Sequence, residues 1–205
     1  NRVSYQIDLQ CSYENGDTNF GGNNLTYRIM QLLKVRLVEK ITDENDSEKL
    51  QCLKSNNFRY VDKHGADKVY EGLNELYQKA EQIMPTRFQE FEQIGALEYF
   101  KVKSNFYYLF ELAEQIKKIF FSDEEVYELT VSWKKHGEQS EYHKKSFRKE
   151  YLYLDKWKIS VRQGDVFQNT APNETITVEL YEIRSLLMTD VYNIVKIFVE
   201  DDFRE

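Results

Sequence analysis

Two stretches carry residues whose types and spacing suit ligand chemistry. The first is Gly16-Asp17-Thr18-Asn19-Phe20-Gly21-Gly22-Asn23-Asn24-Leu25, set between an alternating apolar pattern and a helical one. Paired glycines let backbone amides approach a ligand because no Cβ intervenes. A helix that starts directly afterwards offers unpaired N–H groups and the positive end of its dipole. Together these features cradle phosphate. The same residues also make an ordinary Gly-rich turn with Asn24 as helix cap. The second stretch is Glu114-Gln115-Ile116-Lys117-Lys118-Ile119-Phe120-Phe121-Ser122. Glu114 lies three residues from Lys117 and four from Lys118. Such pairs support a helix by about 0.2–0.5 kcal/mol each. The alternative is that the same side chains clamp a sugar or base.

Other chemistry finds no pattern. His64, His136 and His143 are scattered, and neither Cys11 nor Cys52 is near one, so the clustered spacing of a zinc site is missing. There is no nucleophile elbow, Walker pattern or dinucleotide fingerprint. Both cysteines read as small buried hydrophobes in a reducing compartment, which suggests the cytoplasm. The net charge of -7 disfavours phosphate backbones and anionic membranes, so neither nucleic acid nor membrane is an expected partner. No apolar run approaches the roughly 18 residues that span a bilayer. Lys134, Lys135, His136, His143, Lys144, Lys145, Arg148 and Lys149 form a basic stretch interleaved with Tyr142, Phe147 and Tyr151. It reads as the solvated tip of a hairpin, with base stacking on the aromatics as the alternative.

These stretches need elements to hold them. Val3, Tyr5, Ile7 and Leu9 alternate as in a half-buried strand. Leu25, Ile29, Leu32, Leu33, Leu37 and Ile41 predict a helix over 25–41, apolar round most of its girth and therefore buried. Residues 42–65 are polar and broken. A second helix is expected over 66–84, ended by Pro85, then a short one over 86–94. Tyr99, Val102, Phe106, Leu109, Ala113, Ile116 and Phe120 step by threes and fours, predicting a helix over 97–121. The period then changes to two at Tyr127, Leu129, Val131 and Trp133, at Tyr151 and Tyr153, and at Trp157, Ile159 and Val161. A loop with Gly164 and Pro172, a short strand at 175–177 and a helix over 178–201 complete the chain. The expected class is α+β: long helices packed with a small antiparallel sheet, with 42–96 inserted as a helical segment.

Three segments resemble one family. Gly16-Asp17-Thr18-x-x-Gly21-Gly22 is similar to the Gly-Asp-Thr-x-Leu-Gly-Gly segment of the seventy-kilodalton heat-shock (DnaK-type) chaperones. Leu112-Ala113-Glu114-Gln115-Ile116-Lys117-Lys118 resembles their Glu-x-x-Lys-Arg/Lys helix, whose polar residues embrace adenosine. Ile176-Thr177-Val178-Glu179-Leu180-Tyr181-Glu182-Ile183 resembles their Ile-Thr-Arg-x-x-Phe-Glu-x-Leu, where strand becomes helix. The pieces occur in the family's order. The chain departs from the family at Asn23 and Asn24, where acidic residues are usual, at Leu25-Thr26 in place of Phe-Asp, and at Phe121 in place of a serine.

The resemblance implies most of lobe II of an actin-like, ATP-binding domain. The Gly-Gly-Gly-Thr loop would precede Asn1 and the last adenosine motif would follow Glu205. It implies a nucleotide site formed by Gly21, Gly22, Asn23, Glu114, Lys117, Lys118 and Phe121, with no catalytic residue and no metal ligand of its own. ATP or ADP with Mg2+ would bind the parent protein, not tightly the fragment, and nucleotide-exchange or co-chaperone proteins would dock on it. The isolated chain is then not an enzyme, although its parent is an ATPase. The competing expectation is a protein–protein interaction module with no nucleotide role.

Overall fold

The computed structural model describes residues 21–43, 66–122, 126–133, 149–172 and 175–202, with side chains from 71 in the second helix and up to 192 in the last. The expected strand at 3–9, Gly16-Asp17-Thr18, both cysteines, all three histidines and the basic segment 134–148 lie outside those residues. The elements run α1 (Gly22–Thr42), α2 (Ala66–Ile83), a turn of 3-10 helix (Phe88–Phe91), α3 (Ala96–Phe120), β1 (Glu128–Ser132), β2 (Lys149–Tyr153), β3 (Val161–Gln163), β4 (Val166–Gln168), β5 (Ile176–Glu179) and α4 (Leu180–Asp202). This is an α+β fold.

Helix α1 is the hub. Ile29, Met30, Leu32, Leu33, Val35, Leu37 and Val38 are all buried, so apolar contact covers most of its circumference, as its composition requires. Helix α2 meets it through Leu73, Leu76, Tyr77 and Ala80, and α3 joins the same core through Leu109, Leu112, Ala113 and Ile116. Each fully buried Leu or Ile contributes about 1.5–3 kcal/mol relative to exposure. The helix stops at Asp43, whose φ of 54° is left-handed. Among non-glycine residues, Asp and Asn visit that region most readily.

One charge sits inside this core. The Lys34 side chain is fully buried and pairs with Glu81 of α2. Its ammonium also donates to Thr86 Oγ1 at 3.1 Å and lies 4.3 Å from the Tyr77 ring centroid. Glu81 Oε1 in turn accepts from the Thr86 and Arg87 amides at 2.6 and 2.8 Å. Burial, and then the Arg87 charge, pull Lys34 below the ordinary ammonium pKa, while the touching carboxylate opposes both.

Asn105 of α3 is a second buried polar tie. Its Nδ2 donates to Pro85 O at 2.9 Å and Ser160 O at 2.8 Å, and its Oδ1 accepts from Ser160 N at 2.8 Å. Three segments distant in sequence are thereby fixed by one amide. Beside it, Trp133 and Trp157 meet edge to face at 5.2 Å, and Trp133 Nε1 donates to Tyr108 OH at 2.9 Å.

The sheet corrects one expectation. Its order is β2-β1-β5, with β1 antiparallel to β5 but parallel to β2. It is therefore mixed, and β1 and β2 do not form a hairpin around 134–148. Alternation reports which face of a strand is buried and says nothing of its direction. Leu129 and Val131 of β1 stand opposite Val178 and Ile176 of β5, and all four are buried. Glu128 is flanked by Glu179 on one side and Lys149 on the other. Lys149 Nζ donates to both Glu128 oxygens at 2.9 Å, which offsets the like-charge pair. Two three-residue strands, β3 and β4, form a separate antiparallel ribbon; β3 begins only at the last residue of the strand expected at Trp157, Ile159 and Val161, whose 157–160 are not strand, and β4 lies where a loop was expected. Gly164 turns it at φ 63°, as the first central position of a II′ turn requires. Strand β5 passes directly into α4 at Glu179–Leu180. There Glu182 Oε2 accepts from Glu179 N at 3.0 Å, half of a capping box, while Oε1 accepts from Arg36 of α1 at 2.8 Å.

Candidate functional site

The two chemistry-bearing stretches, nearly a hundred residues apart in sequence, converge in space. Gly21 is the N-cap of α1, and Asn24 N and Leu25 N donate to Gly21 O at 2.9 and 3.3 Å. The helix thus begins three residues earlier than its apolar stripe suggests. Asn24 lies in the first turn and is not the cap, because glycine takes that place without a side-chain hydrogen bond. Helix geometry leaves the first amides without an intrahelical acceptor. Among the described residues, none accepts from Gly22 N or Asn23 N.

Helix α3 brings its last turns to this point. Lys117 Nζ donates to Gly22 O at 3.1 Å and to Thr26 Oγ1 at 2.8 Å. The same ammonium lies 2.6 Å from Glu114 Oε2, which accepts from Thr26 Oγ1 at 2.6 Å. Lys118 is 3.7 Å from Glu114 Oε1 and largely solvent-exposed. The hydrogen bonds from Lys117 and then Thr26 hold the Glu114 carboxyl below its usual pKa, so it is anionic at neutral pH. Thr26 is fully buried. It also reaches Gly22 O at 2.9 Å, the back-bond that threonine makes inside helices.

Gly21, Gly22, Asn23, Glu114, Lys117 and Lys118 therefore occupy one seam between the start of α1 and the end of α3. Phe121 caps α3 with its ring 49% exposed. Ser122 spends its hydroxyl on Ile119 O at 2.9 Å. Sequence spacing does not identify Thr26 as the link, because its partners lie 88 and 91 residues away. The one available signal is a threonine one helical turn after Gly22.

The seam gathers two ammonium groups, one carboxylate and a helix start whose first amides have no acceptor among the described residues, with Phe121 exposed at the end of the same helix α3. Such a set can recognise an anion together with a hydroxylated or aromatic group. A Cβ built on Gly21 meets nothing within 4 Å, and one on Gly22 comes to 3.6 Å of Lys117 Nζ. Gly21 has φ −153°, an extended conformation open to any residue. The described residues thus place no steric demand on either glycine. Among the described residues, no group of three His, Cys, Asp or Glu could hold a metal ion, and no helix is long and apolar enough to cross a membrane. Comparison with family models, with curated proteins and with solved structures returns no match.

Proposed function

We propose that the chain is part of the nucleotide-binding domain of a DnaK-like chaperone, supplying phosphate-side and adenosine-side contacts without a complete ATPase site. The observation that carries this reading is the convergence of the Gly21-Gly22 helix start with Glu114 and Lys117, held by Lys117 Nζ on Gly22 O at 3.1 Å. Core packing of α1 against α3 brings the two segments together, and the polar groups gathered where they meet support the reading.

On this reading ATP supplies the bond that is broken, and the chain supplies recognition. The Gly22 and Asn23 amides point a positive dipole end at a phosphate oxygen. Lys117 exchanges its contact with Gly22 O for the same anion. Glu114 is anionic and accepts from ribose hydroxyls, and Phe121 offers an aromatic face to the base. Placing the nucleotide between α1 and α3 couples its presence to the angle between two helices, the kind of hinge that domain closure uses.

The test uses the full natural reading frame that contains this chain. Binding of a fluorescent ATP analogue is measured for the wild type, for Gly22→Val and for Lys117→Ala. At least a tenfold loss of affinity in both variants, with unchanged circular dichroism, is expected. Unchanged affinity overturns the reading. So does saturable micromolar ATP binding with turnover by the 205 residues alone.

A further inference from the structure

The N-terminal half of α3 carries apolar side chains that the core does not use. Leu97 and Phe100 are 69% and 63% exposed. They form one side of an open groove of about 420 Å³, whose other side is Phe167 of β4 and Lys158 before β3. Lys101 of α3 lies between them, its ammonium 5.8 Å from the Phe167 ring centroid. Ser160, on the same wall, is fixed from behind by Asn105 through both its amide and its carbonyl. The groove is therefore built on a rigid seam.

Charge gives this groove its character. The chain carries a net charge of -7, yet the groove holds two lysines and no carboxylate among its lining residues. Among the described residues, neither Lys101 nor Lys158 forms an ion pair. Ammonium groups without an ion pair among the described residues, beside the exposed Phe100 and the half-buried Phe167, suit a ligand that brings carboxylates and an apolar anchor together. Small-molecule sites enclose most of their ligand, whereas the described residues leave Leu97 and Phe100 mostly exposed at this groove, which suits a segment laid across the surface.

We propose that the groove between α3 and the β3–β4 ribbon docks an acidic peptide segment of a partner protein. Its apolar anchor rests on Leu97, Phe100 and Phe167, and its carboxylates pair with Lys101 and Lys158. The site uses the first turns of α3, whereas Glu114 lies toward that helix's other end, and it requires no nucleotide.

The experiment is fluorescence anisotropy on the 205-residue chain with a panel of labelled short peptides. These are rich in Asp and Glu, with one Leu, Phe or Trp at varied positions. Saturable binding that weakens as salt is added is expected. The double substitution Lys101→Glu with Lys158→Glu should reduce affinity at least tenfold, and Phe100→Ser should also reduce it, without change in thermal midpoint. Binding by no member of the panel overturns the proposal, as does full affinity in the charge-reversed chain. Equal binding of peptides lacking the anchor, or tighter binding of a single-stranded oligonucleotide, overturns it in favour of a purely anionic site. If the charge-reversed chain does not fold, a photo-crosslinking anchor on the wild-type chain decides. Crosslinks to residues 97–101 or 166–168 support the groove, and crosslinks elsewhere refute it.

Discussion

Replacing Glu81 by Gln strands a lysine. Lys34 has no exposed side-chain surface, while Glu81 is 11% exposed and takes two backbone amides besides the lysine. The pair is therefore asymmetric. Without a carboxylate, Lys34 must stay charged in the core or lose its proton. Deprotonation at pH 7 costs about 4.6 kcal/mol for an ordinary lysine pKa of about 10.4, at about 1.36 kcal/mol per unit. That figure is a ceiling, and a broken buried pair typically costs about 3–5 kcal/mol. Glu81→Gln should thus lose about 3–4 kcal/mol at pH 7, a fall of about 10 °C in thermal midpoint for a chain of this size. The ceiling drops to about 1.9 kcal/mol at pH 9, so the penalty shrinks in alkali. Lys34→Met should cost only about 1 kcal/mol, since Glu81 keeps its amide donors. Adding Lys34→Met to Glu81→Gln should restore most of the loss. Urea unfolding of the four chains at pH 7 and pH 9 measures this. A pH-independent penalty, or additive single effects, would refute the reasoning, because it would mean that Lys34 is already neutral in the native core.

Three further outcomes are expected. Thr26→Val removes a buried hydroxyl that joins Glu114 and Lys117, and should cost about 1 kcal/mol by urea denaturation without altering helix content. Asn105→Ala leaves the Ser160 amide and two carbonyls without their partner, so a loss of about 2–4 kcal/mol is expected, with faster hydrogen exchange at Ser160 N–H. The folded Glu114 carboxyl titrates below its ordinary value of 4.5. Its contribution is thus complete above that pH and is lost as pH falls through the lowered value. Acid denaturation profiles should show a shallower slope in that window for Glu114→Gln, and an identical slope would count against the contact.

The helices were legible because burial repeats every three to four residues. The stripe Val102, Leu109, Ala113, Ile116 and Phe120 is the buried face of α3. Helix starts were less so, since Gly21 caps α1 with backbone alone and leaves no side-chain signature. Strand direction was not legible. Leu129 and Val131 alternate identically beside a parallel or an antiparallel neighbour, and only the Glu128–Lys149 pairing reports the parallel one. Lys34 lies within Leu32-Leu33-Lys34-Val35 and reads as a solvated break in an apolar run, because its counter-charge comes from another helix. For the same reason Glu114 and Lys117 were visible as a pair, but their bond to Thr26 was not.

The placement of the aromatic pair at the edge of α3 has an optical consequence. Trp133 and Trp157 are the chain's two tryptophans, and they share one seam, perpendicular and 5.2 Å apart. The intrinsic emission of this protein is therefore a local gauge of the joint between α3 and the segments flanking the sheet. At that separation the two indoles exchange excitation, so a signed exciton couplet in the ultraviolet should accompany the joint and vanish when it opens. The start of α1, where Gly21 and Gly22 lie, is dark by comparison, and a probe placed there would report a different event from the one that the tryptophans see.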